Sequence, residues 1–439
     1  MSAAGPVRPH TETVPALLDI ELTAGPLPVV VATLGAAALL CLLVSRQWRR
    51  WLPWAAAAFG GGVLLGLALC WLLGDVLDLF DVVLSSATRF WFAVAVGGLV
   101  LAVARIVFSG RRLVAVGSVA ILLVALMGAV GINADLGEFP TVRSALGLER
   151  YPTLALPHPV TVLPPTRWVP PAGMPSRGRE GLVTIPATTS GFPARQAMVY
   201  LPPAALEPVA ARLPVLVLLS GQPGAPQDLF SKGRLNTILD DYAVAHRGLA
   251  PVVVVPDQLS APQRNPMCVD SPLGNSASYL TVDVPRWIRS HLTVEHDPAG
   301  WGIGGFSQGG TCAIQLGAAH PGLFGTIIDI SGQVAPISGS LRNTIETAFG
   351  GSPDAYRAAT PAALMAVGAP YHDVLALFLV GADDLRYRPG VEELERDADA
   401  AGMTTRLILS PGTAHDWHTV QYAESRAIPI VARGWGLDG

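Results

Sequence analysis

The stretch Trp301-Gly302-Ile303-Gly304-Gly305-Phe306-Ser307-Gln308-Gly309-Gly310-Thr311 decides the reading of the C-terminal part of the chain. It contains a short apolar run and a G-x-S-x-G from Gly305 to Gly309, and helical sequence follows from Thr311 to Ala319. Strand, sharp turn and helix in that order lift the Ser307 hydroxyl above a sheet edge. Glycines stand on both sides because such a turn brings backbone segments into contact. The turn also sets a helix N-terminus under the place where negative charge develops on an attacked carbonyl. A glycine-rich turn with an ordinary serine has the same local pattern, so the surrounding chain must supply the serine's partners.

Outward from this turn, apolar segments of strand length alternate with helical ones. Ala197–Leu201 and Pro214–Leu219 read as strands, and the β-branched run Val252–Val255 reads as a strand buried on both faces. Val282–Leu292 has helical spacing, and Thr326–Ile330, Leu375–Val380 and Thr405–Leu409 read as further strands. Alternation of this kind predicts an α/β fold with a mostly parallel central sheet.

A serine nucleophile needs a base, and the base needs an acid to orient it. Two strand-like segments after Ser307 end in polar residues of the right kinds. Leu375–Val380 runs into Gly381-Ala382-Asp383-Asp384, and Thr405–Leu409 into Gly412-Thr413-Ala414-His415-Asp416-Trp417. Asp383 and Asp384 are the candidate acids and His415 the candidate base. His418 is a weaker base, and His10, His158, His246, His291, His296, His320 and His372 all precede the acid. Stabilising an oxyanion takes two donors. The backbone N–H of Gln308 is one, and the loop Ser220-Gly221-Gln222-Pro223-Gly224 after an early strand offers that of Gln222 as the other. None of the four cysteines forms a C-x-x-C pair, and no metal site or cofactor is expected.

The first third is different in kind. The whole chain is 51% hydrophobic and 14% charged, against about 25% charged in an average soluble domain. The excess lies in four apolar runs, Leu27–Val44, Leu52–Leu73, Phe90–Phe108 and Leu113–Ile132, each long enough to cross about 30 Å of hydrocarbon. Arg105 is the one charge inside them, near enough to a run end to snorkel to the headgroups. The turns Arg46-Gln47-Trp48-Arg49-Arg50 and Gly110-Arg111-Arg112 are short and arginine-rich, which places them in the cytoplasm. Asp75, Asp78, Asp81, Asp135 and Glu138 then face outward, with the N-terminus and everything after residue 134. Glycines such as Gly60, Gly61, Gly62, Gly97 and Gly98 permit close helix packing. The resulting division is an N-terminal tail (1–26), four transmembrane helices (27–133), a proline-rich linker (134–179) and the α/β domain (180–435). A net charge of -4 gives no sign of a nucleic-acid partner. Cys268 and Cys312, the only cysteines of the outer domain, are candidates for a disulfide in an oxidising compartment.

Taken together, Leu219-Ser220-Gly221-Gln222, Gly305–Gly309, His415-Asp416-Trp417 and the segment Gly274–Leu292 resemble an esterase family of α/β-hydrolases. That family includes S-formylglutathione hydrolases, feruloyl esterases and bacterial mycolyltransferases; the resemblance covers about residues 180–435. It implies an α/β-hydrolase fold, serine-dependent acyl transfer, Ser307 as nucleophile, His415 as base, and Gln222 and Gln308 as oxyanion donors. In many such proteins the acid stands three residues after the glycine closing its strand, which selects Asp384 over Asp383. The family's mycolyltransferases use a glutamate there. The expectation is therefore a membrane-anchored extracytoplasmic serine esterase acting on an acyl ester or lipid. The alternatives are an acyltransferase of envelope lipids or sugars, and a hydrolase-like domain that only binds. The sequence leaves the oligomeric state open.

Overall fold

The computed structural model describes residues 17–109 and 114–438; His10, Arg111 and Arg112 lie outside them. The chain divides into two compact units, one ending at Glu149 and the other beginning at Arg150.

The first unit is built on four helices, α1 (Pro26–Leu43), α2 (Trp48–Cys70), α3 (Ser86–Ser109) and α4 (Val114–Leu136). α2 is prolonged by a π-helical turn, Trp71–Val76. All four are long and apolar enough to cross a membrane. With apolar residues on every face, the helices associate by close backbone approach. A Cβ on Gly62 would stand 2.7 Å from the Gly97 Cα, and one on Gly66 2.8 Å from the Ala93 Cα, so α2 and α3 meet along a seam of small residues. Gly60 and Gly61 face open space and take no part in it. At one end Arg89 pairs with Asp75 at 2.6 Å, and Arg143 with Asp19 at 2.8 Å. At the other end lies Arg105. It is 7% exposed, donates to the Val44 carbonyl at 2.6 Å, and lies 4.8 Å over the Trp51 ring. The carbonyls that α1 leaves open at its C-terminus attract the guanidinium.

The second unit centres on an eight-stranded sheet: β1 (Arg179–Val183), β2 (Ala197–Leu201), β3 (Val215–Leu219), β4 (Val252–Val255), β5 (Trp301–Phe306), β6 (Thr326–Ile330), β7 (Leu375–Gly381) and β8 (Thr404–Ser410). The spatial order is β1-β2-β4-β3-β5-β6-β7-β8. β2 is antiparallel to both of its neighbours, and every other pairing is parallel. β2 to β6 are buried at every position, which is why they read as unbroken apolar runs. Helices α5 (Leu235–Ala245), α6 (Val284–His291), α7 (Gln308–Ala319), α8 (Arg388–Ala400) and α9 (Trp417–Gly434) accompany the sheet.

The proline-rich segment is not a separate spacer. From Arg150 onward it belongs to this unit. Thr153 bridges to Leu182, Thr161–Leu163 pairs with Val209–Ala211, and Trp168 is 1% exposed with its indole donating to the Arg247 carbonyl at 3.0 Å. Proline denies the segment a helix but not an extended path over apolar surface, and Leu154 and Trp168 anchor that path.

Candidate active site

β5 lies in mid-sheet and delivers Ser307 to the turn before α7. Ser307 has φ 56° and ψ -115°, a left-handed strained conformation for a residue with a Cβ. The turn exists because its flanking positions have no side chain. A Cβ on Gly305 would stand 2.5 Å from the Gly309 carbonyl, and one on Gly309 2.3 Å from the Leu219 carbonyl oxygen. The second contact seats the loop after β3 directly against the elbow.

The ends of β7 and β8 supply the partners. His415 Nε2 stands 3.0 Å from Ser307 Oγ, and His415 Nδ1 stands 3.1 Å from Asp384 Oδ2. With the proton on Nδ1 donated to the carboxylate, Nε2 is free to accept from the serine. Asp384 is 3% exposed, and its Oδ1 accepts the backbone N–H groups of Tyr387 (3.0 Å) and Arg386 (3.3 Å). Asp383 is exposed, and only its backbone reaches inward, to the Thr413 carbonyl. His418, the second residue of α9, is not in this line.

Several groups that sequence reading passed over hold the line in place. Asp416 caps α9, accepting from Thr419 N–H with one oxygen and from Ala414 N–H with the other, both at 2.8 Å, so it brackets His415. The imidazole lies between the Tyr387 ring (4.3 Å between centroids) and the Phe306 ring (4.8 Å). Asp-Trp after the histidine was a visible cap signal. The two rings were not, because neither is periodic with it.

Gln308 directly follows the elbow, and Gln222 stands in the loop after β3 that packs against it. Gln308 is the first residue of α7. Its side chain donates to Asn265 Oδ1 and accepts from Gln258 Nε2, both at 3.0 Å, and Gln258 also donates to the Ser220 carbonyl at 2.6 Å. One buried network thus connects the elbow to the β3 loop. Arg195 fastens that loop from the other side. It forms a two-pronged pair with buried Asp257 (2.8 and 3.0 Å) and donates to the Gly224 carbonyl at 2.9 Å. Cys268 and Cys312 are joined in a disulfide with Cα atoms 5.5 Å apart, tying the Asn265 loop to α7. Beneath the elbow, Asp329 on β6 is fully buried. Desolvation pushes its carboxyl up to about 7, against a single favourable N–H from Gly332.

The strand order, with one reversed strand and a serine elbow after the fifth, defines an α/β-hydrolase fold. A ferulic acid esterase has this fold at a TM-score of 0.50 and 16% identity, the match covering 60% of this chain and all of that one. An S-formylglutathione hydrolase from Agrobacterium tumefaciens is similar at a TM-score of 0.48 and 20% identity, over 59% of this chain and 96% of that one. An uncharacterized protein of Corynebacterium glutamicum is 36% identical over 259 residues, spanning 58% of this chain and 61% of the relative's length. Residues 193–409 match the family described as "Putative esterase".

Proposed function

We propose that this chain is a membrane-anchored serine esterase that hydrolyses carboxylic esters outside the cytoplasmic membrane. The observation that carries the reading is the unbroken line from Asp384 through His415 to Ser307, at 3.1 and 3.0 Å, ending at a strained elbow. In this mechanism Ser307 Oγ attacks the acyl carbonyl while His415 Nε2 takes the hydroxyl proton. Asp384 holds the imidazole and stabilises its cationic form. The tetrahedral oxyanion receives the backbone N–H groups of Gln308 and Gln222. Collapse expels the alcohol, which takes the proton from His415, and leaves an acyl group on Ser307. Water then repeats the sequence and releases the acid.

The position outside the membrane is supported by the arginine-rich turn Arg46–Arg50, which favours the cytoplasm, and by four membrane-length helices before residue 150, an even number of crossings. Labelling with a fluorophosphonate probe tests the nucleophile: wild type should label and Ser307→Ala should not. An unlabelled wild type makes the domain a binding module. Products formed with and without a glycerol acceptor separate hydrolysis from transfer. A reporter active only outside the cytoplasm, fused at Gly439, should work.

A further inference from the structure

We infer that the Arg105 end of the first unit is a binding site for the phosphate headgroup of an anionic membrane phospholipid. The inference rests on the membrane reading of α1 to α4 but not on the catalytic one. A cavity of about 690 Å³ opens where α1 and α3 finish and α2 begins. Three guanidinium groups line it, from Arg46, Arg50 and Arg105. The sequence holds no Asp or Glu between Glu21 and Asp75, and none in α3. Among the described residues, the ion pairs of this unit lie at its opposite end. Three cations therefore share one pocket without a carboxylate in reach along these helices.

Arg105 sets the floor. It spends one N–H on the Val44 carbonyl and its face on Trp51, whose own indole is fixed to the Leu42 carbonyl at 2.9 Å. A guanidinium has five donors, so the remainder are free to serve an oxyanion in the cavity. The N-terminus of α2, with Gln47 providing no side-chain cap, adds its positive end to the same space. The walls are of another character. Trp51, Trp54 and Phe108 line the cavity, and Trp54 and Phe108 are 69% and 72% exposed at its rim. Planar aromatic walls beside a basic floor suit a ligand that is anionic at one end and apolar at the other. Free phosphate would use the arginines alone and leave the apolar rim in water. A phospholipid uses both.

The test uses the full chain in phosphatidylcholine nanodiscs containing a minor fraction of phosphatidylglycerol. Incorporation is checked first; a chain that stays soluble without lipid overturns the membrane reading and this proposal with it. Native mass spectrometry after detergent release then counts retained lipids. Phosphatidylglycerol should be retained in preference to phosphatidylcholine. The double variant Arg46→Gln/Arg50→Gln, whose side chains are exposed and bury nothing on loss, should lower that preference about 25-fold, at about fivefold per arginine. Arg89→Gln, at the other end, should leave it unchanged, and Arg105→Lys should lower it while keeping the charge. Equal retention of both lipids, or a double variant that behaves as wild type, overturns the proposal. Complete displacement of phosphatidylglycerol by millimolar inorganic phosphate also overturns it, by making phosphate the occupant.

Discussion

Replacing Asp384 with asparagine changes one atom and should disable the site through a proton. The carboxylate accepts on both sides: Oδ2 from His415 Nδ1, and Oδ1 from the converging N–H groups of Tyr387 and Arg386. Asparagine has one oxygen and one NH2. Its oxygen is claimed by the two backbone donors, so its NH2 turns to His415 and donates to Nδ1. The imidazole proton then moves to Nε2, which faces Ser307 and can no longer accept from it. Loss of the correct tautomer costs about 10⁴-fold in kcat, or about 5.4 kcal/mol of barrier. The fold should survive, since the shape and the Oδ1 bonds remain. Asp383→Asn, at an exposed residue outside the line, should stay within about twofold. Both variants are compared with wild type on one nitrophenyl ester across a pH series, with thermal unfolding as the control. A dead Asp383→Asn beside an active Asp384→Asn would refute the assignment. A loss under tenfold for Asp384→Asn would refute the tautomer argument itself.

Three further outcomes follow from the same site. Gly309→Ala places a methyl 2.3 Å from the Leu219 carbonyl and should push away the loop bearing Gln222; kcat on the same ester should fall about 10²-fold, and a near-normal value would detach that loop from the oxyanion. Asp329 keeps its proton in the fold up to about pH 7 but releases it near 3.8 when unfolded, so its contribution to stability is complete below about pH 4 and is lost as pH rises through 7, at most about 4 kcal/mol. Asp329→Asn should therefore raise the unfolding midpoint at pH 8 more than at pH 5, and an equal shift at both would count against the buried acid. Removing the Cys268–Cys312 link, with its separation of 44 residues, should destabilise the α/β unit by about 4 kcal/mol in a urea titration of the double serine variant.

What the sequence revealed and what it hid divide along physical lines. Val252–Val255 was legible as a central strand because burial on both faces leaves nothing polar in it. The elbow was legible because two contacts demand glycine at fixed offsets from Ser307. Asp384 and His415 lie at strand ends, where polarity breaks an apolar run. β1 was missed: Arg179-Glu180-Gly181-Leu182-Val183 is the last strand of the sheet, met beyond β2 only by the Thr153 bridge, with too little burial to impose a pattern. The proline-rich segment was legible as a break between two kinds of sequence, yet its packing on the second unit depends on Trp168 finding the Arg247 carbonyl, a tertiary event. Arg195 and Asp257 are 62 residues apart, and nothing local marks them as a pair. Arg105 donates to the Val44 carbonyl because α1 ends in open carbonyls beside it, a fact about a neighbouring helix rather than its own.

Synthesis order gives the capped histidine loop a temporal meaning. His415 is made 108 residues after Ser307. At about 5–20 residues per second that is a delay of roughly 5–20 s, during which the serine has no base. Even the arrival of His415 is not enough. Asp416 holds that loop only when there is a first turn of α9 for it to cap. A nascent chain halted before the first turn of α9 would carry all three side chains of the proposed line with the His415 loop still uncapped. The nucleophile is therefore armed by the last helix, after the rest of the sheet has had its chance to form.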